Sequence, residues 1–277
     1  HRHPSKMFHG LDQMSFFESI TKYCAIARTV EDIPRVVTEA FRAMRSGRPG
    51  PAMLEFPQDV IIGEGEVPVP PRVERGDDGE PDTTALSWAA QRLREAERPI
   101  LLAGSAVISG DACTELRGLA EKLKAPVVVT RLGKGALRED HPLALRDIRG
   151  FLGSEALKVA DCALAVGCRF TSIDTRQWSL ELPSPLIQLD PDEREIGLEY
   201  SCETGIAGDL KTSLRALTEQ VETGGTAEWE AALQGLRAQF EAQPPLPLLP
   251  DIREVLPDDG ILSVDVHGIG YSTFAEF

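Results

Sequence analysis

The chain has 277 residues, enough for one large domain or two ordinary ones. Of these residues 42% are hydrophobic and 26% are charged, a composition typical of globular proteins. Its formal net charge of −15 argues against binding to nucleic-acid phosphates or to an anionic membrane surface, so neither partner is predicted. No apolar run reaches the roughly 18 residues that span a bilayer, and the first residues lack a signal-peptide core, which together predict a cytoplasmic location.

The side chains that most often bind metals show no ligand spacing. The cysteines contain no CxxC pair and are predicted to be buried reduced thiols; they are Cys24, Cys113, Cys162, Cys168 and Cys202. His1, His3 and His9 have no carboxylate or cysteine partner at ligand spacing. We therefore predict no metal site within this chain.

The first 62 residues have the pattern of the end of an α/β unit. Apolar side chains recur at helical spacing over residues 30–45, and Thr29 is placed to cap that helix. A turn rich in proline and glycine follows, then an extended run over residues 52–56, which Pro57 ends because proline has no amide hydrogen. These residues are too few to bury an independent α/β core. We expect them to be the last part of a larger domain.

Residues 63–82 are rich in proline and acidic residues and are predicted to be an interdomain linker. Residues 83–222 then alternate short apolar runs with helical patterns. The predicted strands are 99–103, 126–130, 162–166, 186–189 and 205–207, and the predicted helices are 111–124, 151–159 and 210–221. Strands that are apolar along their whole length and separated by helices indicate a parallel sheet covered on both faces. This region is predicted to be a complete central domain.

Residues 223–277 contain a helical stretch over 227–240, a proline-rich segment, a helix over 252–256 and a strand over 261–266. This order of elements predicts the beginning of a further α/β domain.

Small, basic and acidic residues follow the predicted strands of the central domain. Because ligands of open parallel sheets bind at the carboxyl ends of the strands, these residues are candidates for a nucleotide site. They are Gly104, Ser105, Gly167, Arg169, Asp190 and Asp209, together with the Gly133-Lys134-Gly135 segment. Gly104 can equally mark a tight turn, Arg169 can pair with a carboxylate, and the two aspartates can be helix caps. Neither standard phosphate-binding loop motif is present.

Catalytic constellations are absent from the sequence pattern. There is no GxSxG elbow, no HExxH motif and no cysteine with a histidine base, and His141 lies in a turn of structural type. We therefore predict no catalytic residue within this chain.

The order of short motifs nevertheless resembles that of thiamine-diphosphate enzymes of the acetolactate synthase type. The end of their pyrimidine-binding domain resembles Thr21-Lys22, Ile33-Pro34, Ser46-Gly-Arg-Pro-Gly-Pro51 and Phe56-Pro-Gln-Asp-Val60. Their central domain is similar to Gly133-Lys-Gly135, Glu139-Asp-His-Pro-Leu143, Ala160-Asp161, Val166-Gly-Cys-Arg-Phe170, Gln188-Leu-Asp190, Glu195-Ile-Gly197 and Gly208-Asp209. The start of their diphosphate-binding domain resembles Leu256-Pro-Asp-Asp-Gly260 and Ser263-Val-Asp-Val266.

The resemblance implies an α/β fold with a parallel-sheet, Rossmann-like central domain of the DHS type. Partial α/β domains for thiamine diphosphate would flank it, with residues 1–62 as the end of the pyrimidine-binding domain and 223–277 as the start of the diphosphate-binding domain. The implied reaction is decarboxylation or carboligation of a 2-keto acid through an enamine on the thiazolium ring, with Mg²⁺ as a second cofactor. The activating glutamate and the magnesium motif of the family lie outside these residues. We therefore expect the chain to be inactive alone and the whole enzyme to be a homodimer or homotetramer.

The resemblance also implies roles for particular residues. Central domains of this family hold FAD, hold ADP or are empty, and the flavin contacts carry over to the strand-end candidates, from Gly104 to Asp209. His267 matches the cofactor-binding part of the diphosphate domain. The segment after His267 lacks the synthase glutamine, which disfavours acetolactate formation and leaves decarboxylase, lyase and acyltransferase activities open. Two other interpretations remain: a non-catalytic nucleotide-binding module and a structural domain with an empty pocket.

Overall fold

The structure is a computed structural model that describes residues 10–73, 79–245, 248–257, 259–265, 267–268, 270 and 273. The chain forms two compact units, one up to Asp78 and one from Gly79 onward. His1, His3 and His9 lie outside the described residues.

The first unit contains a two-stranded parallel sheet flanked by short helices. Its elements are α1 (Gln13–Phe17), β1 (Tyr23–Ile26), α2 (Ile33–Arg45), β2 (Ala52–Glu55) and α3 (Gln58–Ile61). Thr29, predicted as the cap of this helix, forms a capping box with Asp32 around the 3-10 turn that leads into α2. The buried core consists of Ala27, Val36 and Val60. Neither β1 nor β2, the strands found among the described residues of this unit, belongs to the second sheet.

The second unit is built on a six-stranded, all-parallel sheet. Its elements are α4 (Thr83–Glu95), β3 (Pro99–Ala103), α5 (Ser105–Ser109), α6 (Cys113–Leu123), β4 (Val127–Val129), β5 (Ala144–Asp147), α7 (Phe151–Val159), β6 (Cys162–Val166), β7 (Leu186–Asp190), β8 (Thr204–Ala207), α8 (Leu210–Gln220), α9 (Ala227–Glu241) and α10 (Leu249–Val255). The strands lie in the order β5-β4-β3-β6-β7-β8. This is the 3-2-1-4-5-6 order of the doubly wound dinucleotide-binding folds. The predicted fold class is confirmed.

Helices cover both faces of this sheet, because the central strands are apolar on both sides. Successive residues of β3 point to opposite faces: Leu101 joins one core cluster with side chains of α4, α6 and α8, whereas Ile100 and Leu102 join a second cluster with α7 and α9. All five residues of β3 and of β6 are buried. The apolar runs in the sequence therefore reflect a sheet that is shielded from water on both faces.

Helix α9 is attached to the sheet by two polar contacts. Its Trp229 is fully buried and donates from Nε1 to the Pro99 carbonyl at 3.2 Å. Its Arg237 donates to the carbonyl oxygens of Pro142 and Ala144, the latter at 3.2 Å, and burial lowers the pKa of this guanidinium. Helix α9 thus packs on the central sheet, although it lies beyond residue 222. The predicted domain boundaries remain a prediction.

Three strand assignments differ from the sequence prediction. Strands β1 and β5 were not predicted: β5 contains two charged residues, and β1 is an apolar run of only four residues, too short to be told from a helical segment by periodicity. The strand predicted at 261–266 is not found over the described residues 261–265, which lack regular structure. A strand is stable only beside a partner, and the described part of the chain provides none for this segment.

Candidate functional site

The strand order reverses direction between β3 and β6, so the crevice at their carboxyl ends is the topological switch point of the sheet. Ligands of doubly wound folds bind at this place. Gly104 follows β3 directly and Gly167 follows β6 directly. The switch point therefore lies between two of the residues that the sequence singles out.

Gly104 and Gly167 are in close backbone contact. A Cβ atom on Gly104 would lie 2.0 Å from the Gly167 carbonyl oxygen, and the Gly104 amide donates to the Val166 carbonyl at 2.9 Å. Gly167 has a φ of +63°, which side chains rarely adopt. Backbone packing thus explains both glycines, and Ser105 begins the short helix α5 beside them. A role of these three residues in binding stays a prediction.

The charged candidates have protein partners in the structure. Arg169 is exposed, and its Nε lies 3.3 Å from Oε1 of Glu195. The Asp190 carboxylate, which is buried, accepts from the Asp192 amide at 3.0 Å. Asp209 caps α8 by accepting from the Thr212 amide at 2.8 Å.

The topology brings six of the seven candidates to the carboxyl edge of one sheet, after β3, β6, β7 and β8. Asp209 caps a helix and Arg169 pairs with a carboxylate, as the sequence analysis allowed for each of them. The remaining candidate, His267, is exposed and follows no strand of this sheet. Binding by any of them is a prediction that the contacts themselves do not test.

Asp174 is a residue of this edge that sequence reasoning missed. Its side chain is only 7% exposed, and its carboxylate accepts from the Arg131 amide at 3.1 Å and from the Thr171 hydroxyl at 2.8 Å. The Thr-x-x-Asp spacing indicates a local turn, in which short polar side chains bond to neighbouring groups. It gives no sign of the contact with Arg131, which lies 43 residues away.

The thiols of this unit are poor nucleophiles. Burial, assisted by the Asp161 carboxylate, raises the pKa of Cys162 from 9.0 to about 12. Burial and the Asp111 carboxylate also raise the pKa of Cys113. Because the thiolate is the reactive form, both side chains are inert at neutral pH. None of the five cysteines forms a disulfide, and Cys162 and Cys168 are buried.

Within the described residues, no group of three or more His, Cys, Asp or Glu side chains could hold a metal ion. The described part of the chain also contains no helix with the length and hydropathy required to cross a membrane. The described side chains thus do not gather into a site that fits a magnesium–diphosphate group.

Comparison with known proteins identifies the sheet domain. The model of the family described as thiamine pyrophosphate enzyme, central domain, matches residues 86–217. These residues begin in α4 and end in α8, and they include all six strands of the parallel sheet.

Three relatives illustrate the similarity along the rest of the chain. A probable acetolactate synthase large subunit of Methanocaldococcus jannaschii is 37% identical over 224 residues, which cover 76% of this chain and 37% of the relative. An acetolactate synthase of Mycobacterium bovis is 34% identical over 234 residues, covering 80% and 38%. A probable 2-ketoarginine decarboxylase of Pseudomonas aeruginosa is 32% identical over 275 residues, covering 94% and 48%. The chain thus spans less than half the length of each of these relatives.

The family match covers the whole sheet, the relatives extend the similarity into both flanking regions, and the strand order is that expected of the central domain. Residues 86–217 therefore belong to the family of thiamine pyrophosphate enzyme central domains, and the chain as a whole is similar to enzymes of the acetolactate synthase type.

Proposed function

We propose that the whole protein containing this chain is a thiamine-diphosphate-dependent enzyme that acts on a 2-keto acid. The observation that carries the proposal is the family match over residues 86–217, supported by relatives named as acetolactate synthases and as a 2-ketoarginine decarboxylase. Thiamine diphosphate supplies an electron sink for the carbanion formed when carbon dioxide leaves. Mg²⁺ as a second cofactor, a homodimeric or homotetrameric assembly and a cytoplasmic location belong to the same proposal.

The test uses the intact protein with thiamine diphosphate, Mg²⁺ and a panel of 2-keto acids that includes pyruvate and 2-ketoarginine. We expect release of carbon dioxide that requires thiamine diphosphate and is lost when the cofactor is omitted. Because the segment after His267 lacks the synthase glutamine, we expect no acetolactate from pyruvate. If carbon dioxide were released from none of the 2-keto acids in the panel, the proposed reaction would be overturned.

A second function, nucleotide binding by the central domain, is favoured by the 3-2-1-4-5-6 strand order and by the two glycines at its switch point. We propose FAD or ADP as the nucleotide. The residues proposed at the binding edge are Gly104, Ser105, Gly167, Arg169, Asp190 and Asp209. A domain that binds neither nucleotide would act as a structural support between the flanking regions.

Purification and calorimetry distinguish these two roles. A yellow protein with flavin absorbance, or a calorimetric titration with ADP that saturates at one site per chain, is expected if the switch point binds a nucleotide. A colourless protein that gives no heat with ADP or FAD would assign the domain a supporting role only.

A further inference from the structure

The segment after β6, residues 171–180, passes over the carboxyl end of β3. It is called the crossing segment here. In the sheet, β3 lies between β6 and β4, and neighbouring strands are about 4.8 Å apart. Asp174 of the crossing segment reaches the Arg131 amide, just after β4, and Arg176 donates to the Arg149 carbonyl, just after β5, at 2.8 Å. To make both contacts, the segment must span the end of β3, where the switch point lies.

The crossing segment is fixed in an unusual backbone conformation. Arg176, Gln177 and Trp178 have φ values of 51°, 58° and 58°, the left-handed region that residues with a side chain rarely adopt. Such a conformation is unfavourable and persists where surrounding contacts enforce it. Here the Gln177 amide donates to the Ser172 carbonyl at 2.7 Å, and the Trp178 amide donates to the Thr175 hydroxyl at 3.0 Å.

Asp174 contributes the contact that ties this segment to the loop after β4. Its carboxylate is buried and accepts two hydrogen bonds from neutral donors, the Arg131 amide and the Thr171 hydroxyl. Within the part of the chain that the structure describes, Asp174 forms no ion pair. A buried carboxylate without a cation is costly. The bond from Arg131 joins the crossing segment to the loop after β4, whereas the bond from Thr171 lies within the crossing segment and orients the carboxylate.

The loop after β4 in turn touches the switch point. The Thr130 amide donates to the Ala103 carbonyl at 2.9 Å, and a Cβ atom on Gly133 would lie 2.1 Å from that same oxygen. The contacts therefore run from Gly104, through the loop after β4, to Asp174 and the crossing segment. These groups surround the carboxyl end of β3.

We infer that Asp174 is the positioning residue of the nucleotide site, because its carboxylate holds the crossing segment as the outer wall of the switch-point crevice. The ligand class is an adenine nucleotide or dinucleotide, and the inference rests on the nucleotide binding proposed above. Asp174 acts through the segment that it positions and needs no contact with the ligand itself.

The variants that test this role are Asp174→Ala, Asp174→Asn and Thr171→Val. Asp174→Ala removes both hydrogen bonds, whereas Asp174→Asn keeps an acceptor for the Arg131 amide. Thr171→Val removes the hydroxyl donor with little change in volume or charge, and it serves as the second loss variant if Asp174→Ala does not fold. The matched control is Asp161→Ala, because Asp161 accepts from the Glu97 and Arg98 amides, at 3.1 and 2.9 Å, before β3 and β6 begin.

Binding of ADP and of FAD is measured by calorimetry on the intact protein, and Tm is measured for each variant. We expect Kd to rise at least about tenfold in Asp174→Ala, or about 1.4 kcal/mol, and at least about threefold in Thr171→Val. Asp174→Asn should stay within about threefold of the starting affinity, and Asp161→Ala within about twofold even where its Tm falls.

A second readout follows the crossing segment directly. Trp178 is half exposed, so acrylamide quenching of its fluorescence, taken as the difference from a matching Trp178→Phe variant, should increase in Asp174→Ala and not in Asp161→Ala. Unchanged nucleotide affinity in Asp174→Ala or in Thr171→Val would overturn the positioning role and leave the nucleotide site standing. If the unmodified protein bound neither ADP nor FAD, both the proposed nucleotide site and this inference would be overturned.

Discussion

At the scale of the residue, two glycines of the central domain differ in the space available for a side chain. A Cβ atom on Gly104 would meet the carbonyl oxygen of Gly167, whereas a Cβ atom on Gly118, within α6, would have no neighbour inside 4 Å. The sequence could predict that Gly104 lies at the ligand-binding edge, because glycine after a buried strand is typical there. It could not predict the partner, because Gly167 comes close only when β3 and β6 pair.

We predict opposite effects of alanine at these two positions. Gly104→Ala should lower the free energy of unfolding by about 1–3 kcal/mol, because the backbone of Gly167 must move to admit the methyl group. Gly118→Ala should raise it by about 0.5–1 kcal/mol, because alanine loses less conformational entropy in a helix. Urea unfolding of both variants measures the difference. A stable Gly104→Ala protein would show that β3 and β6 do not pack as described.

Cys162 makes stability depend on pH in the alkaline range. Its thiol has a pKa of about 12 in the folded protein, against 9.0 when unburied, so both states keep the proton below pH 9. Between about pH 9 and pH 12 only the unfolded state loses it, and folding is weakened by about 1 kcal/mol per pH unit. Urea unfolding at pH 8 and pH 10 should show a larger loss for the unmodified protein than for Cys162→Ala. Equal losses would contradict the burial of this thiol.

At the scale of the element, the sequence predicts best the segments that have an uninterrupted apolar run or a clear helical period. The bounds of β3, α7 and β6 agree with the prediction, because two are short apolar runs and one is a helix between them. Strand β5 is not predicted from the sequence, because Ala-Leu-Arg-Asp contains two charged residues and the φ of Arg146 is +61°. The path of the crossing segment is not predicted either, because the hydrogen bonds that fix it join residues distant in the sequence.

At the scale of the whole molecule, the contacts divide the chain near residue 78, inside the linker predicted at 63–82. All six strands of the larger sheet and both large core clusters belong to the second unit. The sequence indicates this division because proline and acidic residues interrupt the apolar pattern. The family match over residues 86–217 lies within the second unit.

We predict that a protein consisting of residues 79–277 folds without the first unit. Its urea unfolding should be cooperative and should coincide when followed by near-ultraviolet circular dichroism and by fluorescence of the buried Trp229. The protein of residues 1–78, compared under the same conditions, has a core of only a few buried side chains and should be far less stable. A gradual, probe-dependent transition of the 79–277 protein would show that its sheet needs the preceding residues.

The placement of Arg237 has a consequence for how copies of this protein can meet. Strand β5 is an outer strand, and because the Leu143 carbonyl accepts from Val127 of β4, the next carbonyl, that of Ala144, points away from the sheet. Because Arg237 already donates a hydrogen bond to the Ala144 carbonyl, that acceptor is less available to a backbone amide of a second molecule. Continuous sheets across two molecules, and the fibrous aggregation that follows from them, are thereby disfavoured along this border.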